Sequence, residues 1–145
     1  MRATLLLLFG IPSWAGEPFG VWKLNPAHLT PAENRRSVIL RIEAHTRGEV
    51  FTLDTVDADG RASTSSTILY FDGVARDFRD AGCSGTQSSR RLDARTVEIL
   101  RECGSGRQIR LVRRLTTQPR ALIFEMIEQL PGGRPSGRRF VMEKE

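Results

Sequence analysis

The chain has 145 residues, enough to bury one core and short for two. Its formal charge of +5 is carried almost wholly by arginine. These arginines run from Arg35 to Arg139 interleaved with acids, so they form neither a basic tail nor a helical stripe, and nucleic acid is not an expected partner. Beyond the first fifteen residues no apolar run is long enough to cross a bilayer as a helix.

Arg2 is followed by Thr4-Leu5-Leu6-Leu7-Leu8-Phe9, and Ser13-Trp14-Ala15 closes the run with small residues at alternate positions. This pattern predicts a secretory signal peptide over 1–15 and a single domain over 16–145, exported to the periplasm or the extracellular space. Two cysteines, Cys83 and Cys103, follow the leader. In an exported chain they predict one disulfide rather than a metal site, since His28 and His45 lie far from them in sequence.

In chain order, Phe19–Leu24 reads as a first strand stopped by Asn25-Pro26, with a loop and one helical turn near Ala32–Arg35. Ser37–Ala44 alternates Val38, Leu40 and Ile42 against Ile39, Arg41 and Glu43, the period of a half-buried strand. Glu49–Val56 alternates again, with Phe51 and Leu53 in phase. Asp57-Ala58-Asp59-Gly60 is a turn, because Gly60 accepts a positive φ and the aspartates cap locally. Arg61–Phe71 is a Ser/Thr-rich strand ending at the hairpin signal Asp72-Gly73. Ala75–Gly85 is predicted irregular. Gln87–Leu92 and Thr96–Cys103 form a hairpin that brings Cys83 and Cys103 to one end. Arg107–Thr116, Ala121–Leu130 and Arg138–Glu143 complete the series. About nine short strands without a helical period predict an all-β fold. An up-and-down antiparallel meander closed into a barrel of eight to ten strands protects the edges most simply, with a sandwich as the second solution.

Several of these residues carry a likeness. Gly20-Val21-Trp22, the turn at Asp57–Gly60, Tyr70-Phe71-Asp72-Gly73, Arg91–Glu98 and the closing Phe140–Lys144 resemble, in order and spacing, small exported bacterial proteins of unknown function with a lipocalin-like β-barrel. The resemblance implies that Trp22 packs at the closed end of the barrel, with Arg138 or Arg139 across its ring.

No catalytic constellation is present. His28 sits in a proline-flanked loop and His45 in a hairpin turn, and neither neighbours a nucleophile elbow. No metal or cofactor is expected, and the chain is read as a non-enzyme. One pattern does point to binding. In phase with apolar residues lie Arg90, Arg101 and Arg113, and a buried arginine demands an anionic partner. Together with Leu40, Phe51, Leu111, Phe124 and Met126 they predict a barrel cavity for a small apolar or anionic amphipathic ligand. The alternative is a filled β-scaffold whose basic outer face binds a cell-envelope polymer or a protein partner.

Overall fold

The computed structural model describes residues 17–25, 27, 35–80 and 82–145. The predicted leader, His28 and most of the predicted turn near Ala32 lie outside them; Arg35 itself opens a strand. Among the described residues the chain forms ten strands: β1 (Gly20–Leu24), β2 (Arg35–His45), β3 (Gly48–Asp57), β4 (Ala62–Leu69), β5 (Arg76–Asp80), β6 (Cys83–Asp93), β7 (Thr96–Cys103), β8 (Gln108–Thr117), β9 (Arg120–Gln129) and β10 (Ser136–Lys144). They make one antiparallel sheet in the order β4-β3-β2-β1-β10-β9-β8-β7-β6-β5. The first strand pairs with both the second and the last, Trp22 opposite Leu40 on one side and Lys144 on the other. The sheet curls into a nearly closed barrel without a helix among its described elements, and the all-β expectation holds.

The turns form for local reasons. At Asp57–Gly60 the Asp57 carboxylate accepts from the Arg61 amide at 2.8 Å, and Gly60 sits at φ +85°. At the β6–β7 turn the Asp93 carboxylate accepts from the Arg95 amide at 2.8 Å. Gly85 allows β6 to lie tight on β7, where a Cβ would run into the Glu102 carbonyl.

Two expectations are corrected. Ala75–Gly85 is not irregular: β5 and the first residues of β6 run through it, paired from Arg76 opposite Gln87 to Asp80 opposite Cys83. Phe78 is the one large apolar residue in β5, too few to display an alternation. Asp72-Gly73 does not close a hairpin either. Phe71 (φ +56°) and Gly73 (φ +73°) both take left-handed backbone, and the link runs along β6 instead. There Asp72 bridges Arg90, and the Gly73 amide donates to the Ser89 carbonyl at 2.9 Å. No ladder joins β4 to β5, so these are the edges of the sheet. A side-chain bond spans the seam, Gln87 Nε2 donating to Thr67 Oγ1 at 3.0 Å.

The core fills one half of the barrel. Trp22, Leu40, Ile42, Leu69, Ile99 and Leu122 are at most 1% exposed. Burying a side chain of this size is worth about 1.5–3 kcal/mol. Phe51 and Phe124 meet edge to face at 6.3 Å between centroids. Trp22 Nε1 donates to the Pro18 carbonyl at 2.7 Å, so residues 17–19 cross the closed end. The cations beside its ring are Lys144 at 5.2 Å and Arg120 at 5.8 Å. Arg138 and Arg139, the expected partners, lie opposite Met126 and Glu125 near the other end of β10. The correction follows from register: Trp22 pairs with Lys144, and the β8–β9 turn delivers Arg120 to the same end.

Candidate ligand site in the open half of the barrel

Strand alternation sorts the arginines by face. Arg113 follows Ile109 and Leu111 inward, and Arg101 follows Val97 and Ile99 inward. Arg90 does not. It pairs with Glu98, which lies on the opposite face from Val97 and Ile99, and its Nε donates to Glu98 Oε1 at 2.7 Å. Arg110 reaches the other oxygen of the same carboxylate at 2.8 Å. The expected inward phase of Arg90 rested on Leu92. Leu92 is itself 43% exposed and shares the outer face with Arg90, while Gln87 and Ser89, opposite Arg101 and Ile99, are the buried positions of β6. Arg91 is the inward residue here, 4.4 Å above the Phe71 ring.

Arg113 has an internal partner. Its Nη1 and Nη2 donate to Glu49 Oε2 at 2.8 Å and Oε1 at 3.2 Å, and both residues are nearly fully buried. Arg91 adds a second cation 3.9 Å from Glu49. Its anion is therefore built into β3.

Arg101 differs. Its Nε donates to Gln87 Oε1 at 2.9 Å, and its guanidinium lies 4.4 Å over the Phe78 ring. No carboxylate of a described residue stands within ion-pair distance of it. Burial pushes the guanidinium below its usual pKa, opposed by the charge of Asp80. Gln87 holds the group in place, because its amide nitrogen is engaged by Thr67 while its oxygen receives Arg101. A planar fork with its terminal nitrogens uncommitted is suited to a carboxylate or phosphate.

The apolar residues named from the sequence divide in two. Leu40, Phe51 and Phe124 are buried in the filled half. Because accessible area counts the walls of internal voids, residues at 0–8% exposure do not line a roomy cavity. Leu111 and Met126 keep accessible surface and pack, with Phe78, against the smaller cluster of Cys83, Cys103 and Ile109. Arg101, Gln87, Phe78, Leu111 and Met126 thus share the half opposite Trp22. The Cys83–Cys103 disulfide closes its wall at the β5–β6 turn. At its rim Arg107 Nε donates to Glu128 at 2.8 Å and Nη1 to the Gly82 carbonyl at 2.7 Å. A polar cleft of about 310 Å³ opens at the β4–β6 seam beside Thr67, Gln87 and Ser89.

Glu49, Gln87 and Phe78 were not singled out from sequence. Glu49 did carry a signal, an acid in phase with Phe51 and Leu53. Of the two histidines only His45 is described: its Nδ1 accepts from the Arg47 amide at 3.1 Å and its ring meets Tyr70 edge-on. Among the described residues no helix is long and apolar enough to cross a membrane.

No protein-family model matches the chain, and no curated protein matches it. Among solved structures, the chain is similar to the Schistosoma mansoni fatty acid binding protein in complex with arachidonic acid, with a TM-score of 0.56 at 8% identity. The match covers 88% of this chain and 95% of that one. At that identity the likeness is one of fold, and the fold of this chain is a lipocalin-like β-barrel of the fatty-acid-binding-protein type.

Proposed function

We propose that this protein is a non-enzymatic carrier or sensor of a small anionic amphipathic molecule, bound in the open half of the barrel. The observation that carries the reading is Arg101: inward-facing, held by Gln87 and Phe78, and without a carboxylate at ion-pair distance among the described residues while Arg113 has one. The ligand's anionic group pairs with the Arg101 fork, and its apolar part lies on Phe78, Leu111 and Met126. The disulfide supports an oxidising compartment, in line with cleavage after residue 15 and export.

The test is a titration with 1-anilinonaphthalene-8-sulfonate, an anionic aromatic probe, followed by displacement with octanoate. Wild type is expected to bind the probe saturably and release it to octanoate. Arg101→Gln is expected to weaken both by about tenfold or more, the worth of one charge-assisted pair. Equal binding by wild type and Arg101→Gln would overturn the proposal.

A further inference from the structure

At the closed end, away from Arg101, the β6–β7 and β8–β9 turns flank an open hollow of about 400 Å³. Its walls include Asp93, Arg95, Thr96, Arg114, Thr117 and Gln118. We propose that this hollow binds a phosphate or phosphomonoester dianion between Arg95 and Arg114.

The turns themselves supply the frame. Thr96 stands opposite Arg114 in the β7–β8 ladder, and the Leu115 amide donates to the Arg95 carbonyl at 2.9 Å, fixing the spacing of the two arginines. In the facing turn Thr116 Oγ1 donates to the Pro119 carbonyl at 2.8 Å, which sets Thr117 and Gln118. Among the described residues neither the Arg95 nor the Arg114 side chain donates a hydrogen bond or enters an ion pair. That separates them from Arg41, Arg76, Arg90, Arg107, Arg110 and Arg113, each of which has a carboxylate. The one acid in the wall, Asp93, turns its carboxylate into its own turn, onto the Arg95 amide and Thr96, and feels the Arg114 charge. Two guanidinium forks with hydroxyl and amide donors beside them match the several acceptor oxygens of a tetrahedral dianion better than a single carboxylate. Arg120, at the end of the β8–β9 turn, adds to the positive field.

The experiment is a titration of ¹⁵N-labelled full chain with sodium phosphate at constant ionic strength, set against sodium chloride. Saturable shifts are expected at the amides of Arg95, Thr96, Thr117 and Gln118. They weaken by about tenfold or more in Arg95→Gln/Arg114→Gln, whose signals elsewhere stay in place. Both arginines are exposed, and either single variant gives the same readout if the pair perturbs folding. Shifts that do not saturate, or that persist in the variants, overturn the site. A second arm distinguishes the source of the dianion. Sedimentation with phosphatidylcholine vesicles containing phosphatidic acid, lost in the variants, indicates a lipid-borne phosphomonoester. Phosphate shifts without selective sedimentation indicate a soluble one.

Discussion

Glu49 and Arg113 meet across the barrel interior, Nη1 to Oε2 at 2.8 Å, although 64 residues separate them in sequence. One comes from β3 and the other from β8, strands that share no ladder. Removing one partner strands a charge in the filled half, so Arg113→Met or Glu49→Leu alone is expected to cost about 3–5 kcal/mol in urea unfolding. The double replacement leaves no buried orphan, since Arg91, which also approaches Glu49, is half exposed, and it is expected to recover most of that loss. A double variant as unstable as the worse single one would show that the pair does more than neutralise itself.

Glu98 makes a different ionic contact, on the outer face. Burial favours its neutral form, but the hydrogen bonds from Arg110 and Arg90 outweigh it and hold the carboxyl below its ordinary 4.5. A carboxyl whose pKa is depressed by folding contributes stability that is present above the unfolded value and is lost as pH falls through the folded one. Unfolding midpoints measured across the acid range should therefore decline below the usual glutamate range, and Glu98→Gln should flatten that decline. Half-buried Asp54 and exposed Asp72 and Asp93 are also held low by their hydrogen-bond partners, so the variant blunts the limb without abolishing it.

The Cys83–Cys103 bond spans a separation of 20 residues and ties the start of β6 to the end of β7. In the chain-entropy picture a loop of that length is worth about 3 kcal/mol. Cys83→Ala/Cys103→Ala is expected to lose about that much stability. Amide exchange should rise first in β5, a five-residue edge strand paired with β6 alone. Protection of β5 equal to wild type would argue that the bond does not hold this wall.

Strands with an apolar face to bury, such as Val38–Ile42 and Leu122–Met126, announced themselves by period-two alternation, and the cysteine pair by its place on one hairpin. What escaped was set by neighbours distant in sequence. β5 is a strand because β6 pairs with it, not because Arg76-Asp77-Phe78-Arg79-Asp80 alternates. Arg90 faces outward because the pairing of β6 with β7 puts Gln87 and Ser89 opposite inward Arg101 and Ile99, a register that composition does not mark. Lys144 and Arg120 reach Trp22 only once the first and last strands are paired. Of the candidate site, Arg101, Leu111 and Met126 were legible from phase. Gln87, which orients Arg101, was not, since a glutamine in a Ser/Arg-rich strand carries no periodic signal.

Arg113 and Arg101, both inward, invite opposite outcomes when removed, and that contrast separates a structural charge from a binding one. Arg113 completes an internal pair, so its loss falls on stability. Among the described residues Arg101 is partly desolvated with only Gln87 as hydrogen-bond partner and no carboxylate at ion-pair distance, an arrangement that costs the fold solvation without returning an ion pair. Arg101→Met is therefore expected to leave unfolding free energy within about 0.5 kcal/mol of wild type, or to raise it, while abolishing binding of the anionic probe. Gln87→Leu is expected to fall between: it removes the Thr67 bond across the β4–β6 seam, lowers stability by about 1 kcal/mol, and weakens probe binding through a misplaced Arg101. Urea unfolding and probe titration on the same three proteins check this. If Arg101→Met proves as destabilising as Arg113→Met, Arg101 belongs to the scaffold and the ligand reading of the open half loses its anchor.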